Sequence, residues 1–161
     1  IEAAVAMLRR QPGRIEFTGG LEARSFKDYH VDLLASLRQR PSMFWAYDPE
    51  DTFETMLSAS RRLDAAGLLN TASHRTRCYV LIGYPAAVSA DGEDDTFEKA
   101  EKRLIDMVRI GFTPMAMLYR PEGEGSETWE PDPQWRAFQR RWVRPAIIHG
   151  MTPAVGQRGR G

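Results

Sequence analysis

The sequence predicts an α/β protein built on a parallel sheet of about four strands in βα repeats, and three observations lead there. Four apolar segments begin near positions 15, 42, 78 and 112, a spacing of about 27 to 36 residues, the length of one βα unit. Helical patterns with polar starts and glycine stops lie between them. The two middle apolar segments are nearly continuous rather than alternating, the signature of strands covered on both faces, as in parallel sheets.

Residues 1–11 read as a helix belonging to an earlier unit, stopped by Pro12-Gly13. The first strand is "RIEFTGG" (Arg14–Gly20). Phe26, His30, Leu33, Leu34 and Leu37 then recur at helical spacing, with Ser25 and Asp28 in capping-box relation. The second strand is "SMFWAYD" (Ser42–Asp48), followed by a helix with Phe53, Met56, Leu57, Ser60 and Leu63 on one face. Asp51 and Glu54 open that helix and Gly67 closes it. "CYVLIGY" (Cys78–Tyr84) is the third strand, and Phe97, Ala100, Leu104, Met107 and Val108 mark the next helix, opened by Asp95 and Glu98 and closed by Gly111. "FTPMAMLYR" (Phe112–Arg120) is the fourth strand and "DPQWRAFQRRW" (Asp132–Trp142) the last helix. Residues 1–150 form one domain in this reading, and the tail 151–161 lacks apolar periodicity and is expected to be disordered. Four parallel strands with open edges are an incomplete sheet, so the chain reads as the second half of a barrel. Its opening at Ile1, on residues already helical, fits a fragment or processed product.

Composition narrows the function classes. Of the 161 residues, 22 are Lys or Arg and 22 are Asp or Glu, so no net field points to nucleic acid or anionic membrane. No apolar run approaches the roughly 20 residues of a membrane span. A single cysteine, Cys78, has no disulfide partner within the chain and fits a reducing, cytoplasmic compartment. His30, His74 and His149 show no metal-ligand spacing with it. Trp135, Phe138 and Trp142 alternate with Arg136, Arg140, Arg141 and Arg144, which reads as a docked closing helix with solvated arginines rather than a nucleic-acid surface.

In parallel α/β folds ligands bind where strands end. Those ends carry Gly20, Glu22 and Arg24; Tyr47 and Asp48; Gly83 and Tyr84; and Tyr119 and Arg120. Gly83 leaves room for a flat group against bare backbone, or serves as turn chemistry alone. Asp48 before Pro49 is a ligand contact or a turn residue, and Glu22 and Arg24 are ligands or a rim pair. The acidic run Asp91–Asp95 complements the start of the helix that follows it.

The ordered pieces "FTGGLEAR", "FWAYDPED", "RCYVLIGYP", "TFEKAEKRL" and "GFTPMAMLYR…WRAFQRRWVRPAI" resemble the C-terminal half of a radical S-adenosylmethionine (SAM) domain, in its Elongator- and methylthiotransferase-like branch. The likeness covers nearly all of Arg14–Ile148. It implies a partial (β/α)6 TIM-like barrel whose first strand leads to a CxxxCxxC loop, where three cysteines hold a [4Fe–4S] cluster and SAM caps its fourth iron. Carried over by position, Gly20, Glu22 and Arg24 end the third strand of that barrel. Tyr47 and Asp48 end the fourth, Gly83 and Tyr84 the fifth, against adenine, and Tyr119 and Arg120 the sixth. Arg24 or Arg120 is then the partner of the SAM carboxylate.

Two departures qualify the likeness. "AAVSADGED" lengthens the loop after Gly83-Tyr84-Pro85, and CxxxCxxC is absent, so one thiol stands where a cluster needs three. The expectation is a C-terminal piece of a radical SAM enzyme that supplies SAM-binding strand ends, is inactive alone and carries no cluster, its substrate unknown. The alternatives are a cluster-free α/β binding or interaction module derived from that fold, or an unrelated nucleotide-binding domain. The last is disfavoured because no Gly-rich phosphate loop follows any strand.

Overall fold

A computed structural model describes residues 2–49, 51–69, 74–123 and 128–142 of the chain, with the side chains of residues 2–5 excepted. The tail expected to be disordered, Arg144 and His149 lie outside the described residues. The order of elements is α1 (Glu2–Arg9), β1 (Glu16–Glu22), α2 (Asp28–Ala35), β2 (Ser42–Tyr47), α3 (Phe53–Ala65), β3 (Thr76–Ile82), α4 (Phe97–Arg109), β4 (Thr113–Leu118) and α5 (Pro133–Trp142). The strands form a four-stranded sheet in the order β1-β2-β3-β4, with every neighbouring pair parallel. The predicted βα rhythm is the observed one.

Sequential strand order with parallel pairing requires each connection to step the same way, and right-handed crossovers then lay the helices on one side of the sheet. Burial follows that rule. On β3, Thr76, Cys78, Val80 and Ile82 are buried while Arg77, Tyr79 and Leu81 between them are half-buried. Register places Met43, Trp45 and Tyr47 beside Thr76, Cys78 and Val80, and Pro114, Ala116 and Leu118 beside Cys78, Val80 and Ile82. These side chains meet Met56, Ala59 and Leu63 of α3, Ala100, Leu104 and Met107 of α4, and Phe138 and Trp142 of α5 in one core. Among the described residues α2 to α5 pack on this one face, where the continuous apolar runs had predicted cover on both. The runs arise because Tyr79, Leu81 and Phe44 occupy the other face, where Arg77 lies over the Phe44 ring at 5.0 Å and Tyr79 tilts against it at 5.5 Å. Pro114 sits within β4 without breaking the sheet because β4 is an edge strand with no neighbour to receive its missing donor.

Helix ends show why local sequence places these elements. Gly67 and Gly111 close α3 and α4 at φ +66° and +92°. Leu68 and Phe112 N–H groups reach back to the Leu63 and Met107 carbonyls, the hydrogen bonds of a left-handed cap. At the starts the expected caps are displaced. Thr52 and Thr96, not Asp51 and Asp95, accept the Thr55 and Lys99 N–H groups. For α2 the cap is Lys27, whose N–H donates to His30 Nδ1 at 3.0 Å. Ser25 lies inside a turn closed by Phe26 N–H on the Ala23 carbonyl, too early to cap, and its hydroxyl donates to Glu22 instead.

Candidate functional site

The C-terminal ends of the four strands open onto two clefts that share no lining residue. The first, of about 420 Å³, lies on the helix-free side. Its floor follows from strand parity: Ala46 and Asp48 from β2 and the residue after it, Tyr79 and Leu81 from β3, and Met117 from β4 all project to that face. Its wall is the backbone of Thr18, Gly19 and Gly20. Four steps of β1, from Phe17 to Leu21, oppose only the two from Met43 to Trp45 of β2, so β1 bulges there. Gly20 takes φ +71° within the bulge, a conformation an L side chain adopts only under strain. Asp48 is held by the turn that follows β2: its N–H donates to Asp51 Oδ2 at 3.0 Å, and Arg24 Nε meets the other Asp51 oxygen at 3.0 Å.

The second cleft, of about 530 Å³, lies between the loops that follow β3 and β4. Gly83 takes φ +69° there, and a Cβ on it would stand 3.0–3.2 Å from three ring atoms of Trp135. The flat group that rests on this glycine is thus an indole of the chain's own α5. Trp135 is in turn wedged by Phe97 at 4.4 Å and Phe138 at 5.6 Å. Asp95 has a wholly buried side chain that fastens the turn, its Oδ2 accepting the Gly83 N–H at 2.8 Å and Arg103 Nη2 at 2.8 Å. Arg103 also donates to the Leu81 carbonyl and lies over the Tyr84 ring at 5.1 Å. Burial pushes the Tyr84 hydroxyl pKa up.

The residues expected at one site are therefore distributed. Gly20 and Asp48 meet in the first cleft, and Gly83 and Tyr84 line the second. Tyr47 points to the helix-covered face beside Val80, buried, with its pKa raised to about 12 chiefly by burial. Glu22 accepts from Ser25, Arg24 pairs with Asp51 rather than with Glu22, and Arg120 is exposed; none of the three lines either cleft. Reading the sequence missed Ala46, Tyr79, Leu81 and Met117. Parity counted back from Asp48 would have found Ala46 and excluded Tyr47, since neighbours on a strand face opposite ways.

Cys78 is fully buried on the helix-covered face, and burial holds its thiol pKa well above the usual value, so it is no nucleophile. Among the described residues no group of three His, Cys, Asp or Glu side chains could hold a metal ion. No described helix is long and apolar enough to cross a membrane. The first cleft offers bare backbone, a carboxylate at its edge and apolar surface from Leu81, Met117 and the Tyr79 ring.

Sheet and clefts together define a parallel βα-repeat protein with recesses at the carboxyl ends of its strands. Comparison of the chain with protein-family models, with curated proteins and with solved structures finds no match.

Proposed function

We propose that the chain forms the C-terminal half of a radical SAM barrel and that its first cleft receives the nucleoside end of SAM. One observation carries this reading. Among the described residues four parallel strands in sequential order carry α2 to α5 on one face, and the opposite face ends in a recess between Gly20 and Asp48. A face bare of helices is what a barrel turns inward, and strand ends are where such folds bind ligands.

The residues fit the nucleoside and do not fit the cluster. Gly19 and Gly20 present backbone without a Cβ in the way, Tyr79 and Leu81 supply a surface for a flat base, and Asp48 can accept from ribose hydroxyls. The [4Fe–4S] cluster needs three thiolates, and the one cysteine is buried on the far face of the sheet. Cluster ligands therefore belong to another part of the parent protein, and no radical step is assigned to these residues. The buried Cys78 equally favours the second reading, a cluster-free module that binds the same nucleoside.

Saturation-transfer NMR with S-adenosylhomocysteine on this chain tests the shared claim. Transfer to the adenine and ribose protons is expected and should be lost in Gly20→Val and reduced in Asp48→Ala. Absence of transfer with a folded chain, or equal transfer in all three proteins, overturns it. Anaerobic reconstitution followed by iron and sulfide analysis tests the rest. A stoichiometric [4Fe–4S] cluster on the monomer would overturn the assignment of the cluster elsewhere.

A further inference from the structure

Among the described residues the second cleft is lined by four aromatic side chains and two carboxylates and by no Lys or Arg, although Arg103 borders it, bonded to Asp95 and lying over the Tyr84 ring. Tyr84, Tyr119, Trp129 and Trp135 supply the rings, Asp94 and Asp95 the carboxylates. Trp135 is already held by Gly83, Phe97 and Phe138, and Tyr84 by Arg103. No ring of the described residues stacks on Tyr119 or Trp129. Asp94 is exposed and oriented by the Ala86 N–H on its Oδ1 at 2.7 Å. Asp95 is the second pointer to a ligand. Its side chain is completely buried, Arg103 and Gly83 both bind Oδ2, and Oδ1 has no hydrogen-bond partner. A buried acceptor without a donor is costly, and a donor that reaches this oxygen from the cleft, by a small shift of the Asp95 carboxylate, relieves that cost.

We propose that this cleft binds a small alkylammonium cation. Ring faces attract a cation through their quadrupoles, and methyl groups on its nitrogen fill space against them. Asp94 supplies the opposite charge, Asp95 being already paired with Arg103, and an N–H on the cation supplies a donor. A neutral or anionic ligand of the same shape gains the apolar contact and none of the rest. The site involves neither Gly20 nor Asp48, so it stands or falls apart from the nucleoside cleft.

The probe is N,N-dimethylethanolamine, protonated at pH 7, set against its neutral carbon analogue 3-methyl-1-butanol. Affinities come from calorimetry on the intact chain, and tryptophan fluorescence reports on Trp129 and Trp135. The cation should bind about tenfold more tightly than the alcohol, the scale of one cation–π contact together with partial charge pairing. Trp129→Ala should lose roughly tenfold and Asp94→Asn several-fold, while S-adenosylhomocysteine transfer stays unchanged. Both positions lie outside the helices and strands, and circular dichroism verifies the fold of each variant. Equal affinity for cation and alcohol, no binding of the cation, or binding insensitive to both substitutions overturns the proposal.

Discussion

Gly83→Ala is the sharpest test of the turn that separates the two clefts. The new Cβ would stand 3.0–3.2 Å from Cγ, Cδ2 and Cε2 of Trp135, against an optimal carbon–carbon separation of about 3.5–4.0 Å. The atoms it meets belong to the rigid body of the indole, and Phe97 and Phe138 hold that ring from other sides, so it has little room to retreat. Overpacking of this kind costs about 1–3 kcal/mol. The backbone adds its own term, since φ +69° is left-handed and costs an L residue about 1–2 kcal/mol. Together the loss is about 2–5 kcal/mol, a large part of the roughly 5–15 kcal/mol that stabilises an ordinary domain. Gly92 separates the two terms, because it has nearly the same φ, +70°, with nothing within 4 Å of its Cβ position. Gly92→Ala should cost the backbone term alone. In urea, with a slope of about 1–3 kcal/mol per molar, Gly83→Ala should lower the midpoint by roughly 1–2 M and Gly92→Ala by clearly less. Combining Gly83→Ala with Trp135→Ala should recover the packing term. Equal shifts for the two glycines, or no coupling to Trp135, would refute the indole as the reason for this glycine.

That indole also marks the limit of what could be read from the sequence. Four strands, their parallel order and the glycine stops were legible because each is a local signal: apolar runs, unit spacing, and a Gly after each of α3 and α4. The need for bare backbone at Gly83 was legible as well. What rests on it was not, because Trp135 lies 52 residues further along and reaches the turn only once α5 docks. The same limit explains Tyr47 and Asp48, adjacent in sequence and on opposite faces once β2 is pleated. It also explains the displaced helix caps. Asp51 and Asp95 precede their helices as cap residues would, yet each carboxylate is drawn to a tertiary arginine, Arg24 and Arg103, leaving the threonine behind it to cap.

Those displaced aspartates and the buried hydroxyls give the remaining predictions. Asp95→Ala leaves Arg103, only 14 % exposed, and the Gly83 N–H without their partner, and should cost about 3 kcal/mol or more. A urea midpoint no lower than that of Lys99→Met, which breaks only surface pairs with Asp91 and Glu93, would contradict it. Thr96→Ala removes the N-cap of α4 and should cost about 1 kcal/mol, with Thr96→Ser close to neutral; reversal of that order would show the hydroxyl is not the cap. The last concerns alkaline pH. Burial raises the Tyr47 pKa from 10.0 to about 12 and the Cys78 pKa well above 9.0, so in both cases the folded chain keeps a proton that the unfolded chain releases. Stability is then independent of these groups below pH 9. It falls as pH rises past each unfolded value, because the unfolded state alone gains from ionisation. For Tyr47 the fall runs from pH 10 to about 12 and amounts to something on the order of 2 kcal/mol. Urea midpoints taken across pH 8–12 for wild type, Tyr47→Phe and Cys78→Ala give the measurement, each variant being compared with its own value at pH 8. Other tyrosines and the lysines titrate in the same range, so the difference from wild type is the quantity read. Tyr47→Phe should flatten the decline above pH 10, and Cys78→Ala should flatten it from about pH 9. Parallel curves for all three proteins would mean that neither group is buried from water, which would displace β2 and β3 from the covered face where their alternation puts them.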